Sequence, residues 1–541
     1  MTTLRKPAII AVLASILCSG ALSTVCEAQK SNQKRLHAPL WGALSPGLYS
    51  VGYRVIFGFD RTRTWRVTRA LEKQFSPDSD GRPVRVSVWY PAVARMSSSS
   101  MRILDYVHVS SPQNFAEANA ALERRDRRIL AEMVPPEEFQ SLLDTKMAAV
   151  THAPAARGPF PVVLYSGGIN PYTLSNAIMA EFLASHGYIV VAVPSLGQTS
   201  HQPDQVYSPI EMEASVRDLE FAWSLMREQP HVNDAKLAVF GHSLGGTVAM
   251  IFAMRNANVA AVAGLDGTYG FDDGPSFGTK TLTEFYGYAP QKMRAAVLDI
   301  HRSDYTTLDL SAVHAFHHSD RYLITLAKIL HADFTTFAAI KQAFHIPPPD
   351  YVTSDSGYTT EVGYQGFQRT CRIVRDFFEA KLKGDPSGIE RLTADVRQAA
   401  GAVMTHKNAQ PTPPSAHEFV ALIADKGFDA VVQIVERFRR DAPGVIVVDQ
   451  RVFNRLGYNL IAEKRFAEAI GVLRLVSYVY PKSWNAADSL GDAYIIAGQK
   501  EEGRAAYQRA INLAAADPDI DPDRRKSIIK DEQTKLEKLK P

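Results

Sequence analysis

From residue 160 onward, short apolar runs alternate with amphipathic helical stretches, and few folds satisfy that alternation. The runs are Phe160–Tyr165, Tyr188–Val193, Lys236–Phe240, Val259–Leu265, Ala295–Ile300 and Tyr322–Ala327. They are rich in Val, Ile and Leu and scarcely interrupted by polar residues, the pattern of strands buried on both faces. Between them lie helical stretches such as Tyr172–Ser185 and Pro209–Arg227. Strand–helix–strand repetition predicts an α/β fold, a parallel sheet joined by right-handed crossovers. A last helix over about Gln365–Lys383 meets the helix stop Gly384-Asp385-Pro386.

The upstream part reads differently. Pro46-Gly47 turns the chain into a strand through Tyr53, and Val84–Tyr90 (VRVSVWY) alternates until Pro91 stops it. That alternation predicts a half-buried antiparallel strand. Residues 100–150 form a helical insertion: a charged helix over Glu117–Met133, then a second opened by Pro135-Pro136 with Glu137 and Glu138 in its first turn. A lid or an interfacial surface is the expected role of such an insertion.

At the start of the chain, Arg5 and Lys6 precede an apolar run to Leu17, followed by small residues and Cys26-Glu27-Ala28. Residues 1–28 therefore read as a secretory signal peptide, and the run is shorter than the roughly 20 apolar residues of a membrane span. The expected location is the periplasm or the extracellular space. Cleavage would leave a net charge of +2 from the +3 of the full chain, and only Cys371 of the three cysteines, so no internal disulfide. Hydrophobic residues make up 46% of the 541, which excludes disorder over most of the length. Sixty basic against 57 acidic side chains leave no footprint for nucleic acid and no polybasic membrane patch.

Beyond the sheet region, residues 385–415, including Gln410-Pro411-Thr412-Pro413-Pro414-Ser415, have the composition of a semi-rigid linker. Residues 29–384 then form the α/β domain and residues 416–541 an all-helical one. Leu456-Gly457-Tyr458 recurs as Leu490-Gly491-Asp492, an offset of 34, with Ala469 and Pro481 in one copy and Gly498, Tyr507 and Ala510 in the next. The period resembles the tetratricopeptide repeat, a helix pair that buries its apolar face only by stacking on others. Phe419–Pro443 adds a related pair out of period. Such a stack implies a protein partner or self-association.

The sharpest chemical signal is Gly241-His242-Ser243-Leu244-Gly245-Gly246, placed between a strand and a helix. This G-x-S-x-G pattern presents a serine on a strained turn, where it needs a base to become a nucleophile. Base and orienting acid should follow in the order acid, histidine. Asp266 ends the next strand and is the preferred acid, with Asp299 and Asp304 as rivals. Six histidines follow before residue 385: His301, His314, His317, His318, His331 and His345. His331 comes directly after the last apolar run, where a triad histidine belongs, whereas His301 ends a strand too early. His317-His318 lacks a carboxylate or cysteine at ligand spacing and reads as a surface pair rather than a metal site. An oxyanion hole needs two backbone N–H groups: Leu244 should supply one, and the loop Ser166-Gly167-Gly168-Ile169 the other.

Four stretches together resemble the plasma-type platelet-activating-factor acetylhydrolases and their bacterial relatives, within the α/β-hydrolase superfamily. They are Tyr165-Ser166-Gly167-Gly168, Phe182–Val193, the elbow with Gly264-Leu265-Asp266 downstream, and His331-Ala332-Asp333-Phe334. The resemblance covers about Leu48 to Lys383. It implies Ser243 as nucleophile, Asp266 as acid, His331 as base, an oxyanion hole from the Leu244 and Ile169 N–H groups, and neither metal nor cofactor. It departs at Gly167-Gly168, where the family carries His-Gly, and in longer helical segments between Asp266 and His331. The implied activity is hydrolysis of a carboxylic ester with a short, medium or lipid-like acyl group. The alternatives are a peptidase, a hydrolase of plant or polymer esters, or a non-catalytic binding protein that uses the helical repeats.

Overall fold

Each of the six apolar runs becomes a strand of one sheet. The computed structural model describes residues 38–65, 81–93, 99–270, 282–285, 287–304 and 308–539; the expected signal segment, with Cys18 and Cys26, lies outside them. The chain divides into two compact units, 1–409 and 410–541.

In the first unit the chain runs β1 (Ser50–Asp60), β2 (Arg82–Ala92), α1 (Ile103–Val107), α2 (Ala116–Ala131), α3 (Phe139–Asp144), β3 (Ala149–Thr151), β4 (Phe160–Ser166) and α4 (Ala177–Ser185). It continues with β5 (Ile189–Ala192), α5 (Pro209–Met226), β6 (Val232–His242), α6 (Leu244–Arg255), β7 (Val259–Leu265), β8 (Ala296–Arg302), α7 (Ser311–His314) and β9 (Arg321–Leu326). The unit closes with α8 (Phe337–Ala343), α9 (Thr360–Phe378), α10 (Ser387–Arg397) and β10 (Val403–Lys407).

The strands among the described residues make one sheet in the order β10-β9-β8-β7-β6-β4-β5-β2-β1-β3. From β5 through β9 neighbouring strands are parallel. β2 joins antiparallel to β5, β1 antiparallel to β2, and β10 antiparallel to β9. Helices α4 and α9 cover one face, and α5 and α6 the other. The sheet is thus buried on both sides, as the unbroken apolar runs require.

Three expectations need correction. β2 is buried along its whole length rather than on one face. Its polar positions find buried partners: Ser87 pairs with the Tyr53 hydroxyl at 3.0 Å, and Arg85 donates to Thr173 Oγ1 at 2.6 Å and to Asn119 at 3.1 Å. Alternation there marks two different cores, one of them polar, instead of a wet face.

The helix expected from Tyr172 begins only at Ala177. The side chains before it are tied elsewhere: Ser175 to the Tyr165 hydroxyl at 2.8 Å, and Asn176 to that hydroxyl and to the Phe334 carbonyl, both at 3.2 Å.

Residues 385–415 are not all linker. α10 buries Leu392 and Val396, and Arg372 grips Asp395 with two hydrogen bonds of 2.7 and 3.0 Å. β10 then closes the sheet edge, its His406 ring stacked on Tyr322 at 4.2 Å.

The second unit is helical: α11 (Ala416–Lys426), α12 (Phe428–Asp441), α13 (Gln450–Ala462), α14 (Phe466–Val479), α15 (Trp484–Ile496), α16 (Lys500–Ala516) and α17 (Pro522–Glu537). α13 and α15 begin 34 residues apart, as do α14 and α16. The packing repeats with the same pitch. A Cβ on Gly457 would press into Leu473 at 2.6 Å, and one on Gly491 into Tyr507 at 2.6 Å. Each glycine lets its helix approach the large side chain of the next.

Candidate active site

Strand β6 runs straight into Ser243, and α6 begins at the next residue. Ser243 has φ 56° and ψ −128°, a left-handed conformation that a side chain adopts only when its surroundings impose it. Here they do. The Ser243 N–H donates to the Leu265 carbonyl at 3.0 Å, and its own carbonyl accepts from Gly246 at 2.9 Å and Thr268 at 3.2 Å. A Cβ on Gly241 would collide with the Gly245 carbonyl, and one on Gly245 with the carbonyls of Ser166 and Gly167. Only glycine permits this turn to lie so close to its neighbours.

Those bonds hold Ser243 against both flanks of Asp266, which directly follows β7. Asp266 is fully buried and itself left-handed at φ 48°. Its Oδ2 lies 2.5 Å from His331 Nδ1, and its Oδ1 accepts the Arg302 N–H at 3.2 Å. Burial pushes the Asp266 carboxyl up, but the His331 hydrogen bond and charge, with the Arg302 N–H, hold it below the ordinary carboxylate value. It is a buried carboxylate aimed at one imidazole nitrogen, which fixes the proton on Nδ1 and leaves Nε2 as the acceptor.

His331 opens a 3-10 turn, His331–Phe334, after β9. Two supports steady it. Asp333, two residues on and fully buried, accepts the Leu330 N–H at 2.9 Å and a hydrogen bond from the buried Lys341 ammonium, which also donates to the Tyr358 hydroxyl at 2.9 Å. His242, beside the serine, packs its ring at a tilt against that of His331, with centroids 4.6 Å apart, and bonds the His331 carbonyl through Nε2 at 2.9 Å. Burial and the adjacent His331 push the His242 pKa down to about 3, so it is a neutral N–H donor there.

The rivals sit elsewhere. Asp299 pairs with His301, Oδ2 to Nδ1, at 3.0 Å within β8. Asp304 is 61% exposed on its side chain and pairs with Arg302 at 3.2 Å. His314 ends the short α7, and His317, His318 and His345 follow α7 and α8 in turns. The structure therefore brings Ser243, Asp266 and His331 to one place and gives Asp299 a different histidine.

Above the elbow runs the loop from Ser166 to Asn170. A Cβ on Gly168 would stand 3.3 Å from Ser243 Cβ and 3.6 Å from its Oγ, so the loop closes over the serine. Asn170, at φ 52°, straps it down: Oδ1 accepts the Gln205 N–H at 2.5 Å and Nδ2 donates to the Gln205 carbonyl at 3.3 Å. Leu244 is the first residue of α6, where backbone N–H groups lack helical partners and the helix dipole is positive.

Buried polar contacts tie the insertion to the segment that follows the loop over Ser243. Asp126 on α2 accepts from Thr173 at 2.8 Å, and Arg85 binds both of them in a fully buried cluster. Next to it Arg125 donates to the carbonyls of Ser195 and Pro194, at 3.0 and 3.2 Å. Sequence reading missed these residues, although two charges inside an otherwise amphipathic α2 hint at a buried network. It also missed His242, whose only signal was a place inside the elbow motif.

Among known families, the chlorophyllase model matches residues 135–298, a span that holds the loop over Ser243, the elbow and Asp266. Chlorophyllase-1 from Citrus sinensis is 34% identical over 115 residues, 21% of this chain and 34% of that protein. Chlorophyllase type 0 from Chenopodium album is 26% identical over 152 residues, 27% of this chain and 44% of that protein. The chain thus spans less than half the length of these curated relatives. A ferulic acid esterase from Streptomyces cinnamoneus superposes with a TM-score of 0.45 at 18% identity, over 63% of this chain and 92% of that one.

Proposed function

We propose that the chain is a serine ester hydrolase with Ser243 as nucleophile, His331 as base and Asp266 as orienting acid. The observation that carries this reading is the 2.5 Å contact between Asp266 Oδ2 and His331 Nδ1, beside a serine held at φ 56°. The match to the chlorophyllase model over 135–298 supports ester chemistry.

In the proposed reaction, Ser243 Oγ attacks the ester carbonyl carbon as His331 Nε2 takes its proton. The resulting oxyanion lies between the N–H groups of Leu244 and Ile169. Collapse expels the alcohol, which leaves with the proton from His331. Water then gives a proton to the same nitrogen and its oxygen to the acyl carbon, releasing the acid and Ser243. Asp266 keeps the imidazole in one tautomer and offsets its charge.

Exposed apolar side chains flank the oxyanion strap: Ile169 and Val206 on either side of the Asn170–Gln205 pair, and Ile210 at the start of α5. They favour an ester with an apolar or lipid-like part, the preference that the acetylhydrolase resemblance also implies. The 34-residue pitch of the second unit supports stacking of the tetratricopeptide kind, with a protein partner or a second copy as its ligand. The signal-like residues 1–28 support export to the periplasm or beyond.

The test is hydrolysis of p-nitrophenyl esters, from acetate to palmitate, by the chain and by Ser243→Ala. Turnover by the native chain that vanishes in the variant is the expected result, and the preferred chain length sizes the acyl site. Equal turnover by both proteins would overturn the reading.

A further inference from the structure

A cavity of about 270 Å³ opens at the end of the sheet opposite Ser243. Its floor is apolar and buried: Val88 and Tyr90 of β2, Phe160 at the start of β4 and Ile189 at the start of β5. His231 and His152 stand at its rim, and Arg54 of β1 forms a wall. Ser243 follows the far end of β6, whose eleven residues start one position after His231. The two ends of β4, Phe160 and Ser166, pair with Val232 and Gly241 of β6, so at about 3.3 Å per strand residue the two places lie roughly 20 Å apart. The cavity is therefore independent of the proposed ester site.

Arg54 is the unusual feature. Its guanidinium lies over the Tyr90 ring at 5.8 Å, and Nη2 donates to the neutral Gln229 side chain at 3.1 Å. Nε is buried and has no hydrogen-bond partner. Among the described residues no carboxylate pairs with Arg54, and no acidic residue lines the cavity. A half-buried cation whose protein partners are an amide and an aromatic face carries uncompensated charge, which is costly away from water. Three other deeply placed arginines of this unit are matched by carboxylates, Arg82 and Arg63 sharing Asp218 and Arg85 having Asp126, while the buried Arg125 and Arg321 donate to main-chain carbonyls.

The two histidines add donors in fixed places. Both have left-handed backbones, φ 52° at His152 and φ 69° at His231. Each is pinned by a main-chain bond: His152 N–H to the Tyr53 carbonyl at 2.9 Å, and the Phe160 N–H to the His231 carbonyl at 2.7 Å. Non-glycine residues hold this conformation at a cost and tend to do so at binding sites.

We propose that this cavity is a non-catalytic site for a small monocarboxylate with an apolar body. The carboxylate would pair with Arg54, with the imidazoles of His152 and His231 as further donors, and the hydrocarbon or aryl part would cover Val88, Phe160 and Ile189. The volume lies just under the ~300–1,000 Å³ of clefts that take drug-sized ligands, which sets the body at about one ring or a short branched chain.

The test is calorimetric titration of the full chain with 3-phenylpropionate and with its neutral analogue 3-phenylpropionamide. One saturable site with Kd below about 1 mM is expected for the acid, and at least tenfold weaker binding, about 1.4 kcal/mol, for the amide. Arg54→Gln should weaken the acid at least about tenfold, Arg54→Lys should retain most of the binding, and Ala155→Trp, which fills the cavity from its exposed rim, should remove it. Ser243→Ala should bind as the native chain does. Equal binding of acid and amide, binding indifferent to Arg54→Gln and Ala155→Trp, loss in Ser243→Ala, or no saturable binding at all would each overturn the proposal.

Discussion

His301 Nδ1 lies 3.0 Å from Asp299 Oδ2, so a second carboxylate–imidazole pair sits on β8, between the strands that deliver Asp266 and His331. The two pairs look alike in composition and differ in what they adjoin. Asp266 touches His331, whose ring packs against that of His242, the residue before the serine. Asp299 touches a histidine whose other nitrogen is 3.2 Å from the Thr325 hydroxyl.

The two acids should therefore separate cleanly. Asp266→Asn is expected to lower kcat for a p-nitrophenyl ester by about 10³–10⁴-fold, the scale of a lost orienting carboxylate. Asp299→Asn should lower kcat by less than about tenfold and act mainly on thermal stability. Steady-state rates and melting curves on both variants decide it; equal losses would make Asp299 part of the machinery.

His301 also gives the fold a pH dependence. Burial pushes its pKa down, but the hydrogen bond and charge of Asp299 more than offset this, and the net shift is upward. The folded state then binds the proton more tightly than the unfolded chain. This stabilisation is complete below an unfolded pKa of about 6.5 and fades as pH rises through the higher folded value. The Tm difference between the native chain and His301→Gln should be largest in mildly acidic buffer and shrink toward pH 9. Asp266 works with the opposite sign: its depressed value makes a contribution that disappears only as pH falls below the ordinary carboxylate range.

Ser243 holds a conformation that glycine adopts freely. Ser243→Gly should abolish turnover and raise Tm, releasing about 1 kcal/mol of backbone strain. Ser243→Ala should abolish turnover without that gain. Differential scanning calorimetry on the two variants checks it, and a Ser243→Gly no more stable than Ser243→Ala would mean that the turn stores nothing.

The buried Arg85–Asp126–Thr173 cluster fastens the insertion to the segment that follows the loop over Ser243. Asp126→Leu alone strands a buried guanidinium and should cost about 3–5 kcal/mol. Arg85→Met with Asp126→Leu should recover much of the stability. Because Thr173 loses both partners, kcat should stay reduced in the double variant. Urea unfolding and ester turnover on the two proteins separate stability from loop placement.

The strands from β4 to β9 were legible because burial on both faces forces unbroken apolar runs. The elbow was legible because its glycines are the only residues that avoid the carbonyls of Ser166, Gly167 and Gly245. What sequence alone could not resolve were pairings across distance. Asp266 and Asp299 both end or interrupt an apolar strand, and only the packing of β7 and β9 on either side of β8 shows that Asp266 meets His331, 65 residues on, while Asp299 takes His301 of its own strand. β2 misled for the same reason: Arg85 and Ser87 look solvated until Asp126, Thr173 and Tyr53 are found facing them. Lys341 under the His331 turn gave no local sign, since its partner Asp333 lies on the turn before the helix.

Strand β10 has a bearing on how this chain can be divided. β9 is buried at five of its six residues and would make a sticky open edge. β10 covers that edge with five mostly exposed residues, among them Lys407, a strand too short and too polar to recruit another. A polypeptide ended at Gly384, just past α9 and its extension Glu379–Lys383, would lose α10 and β10, uncover β9 and associate edge to edge. One ended at Ala409 would keep its bumper and remain dispersed.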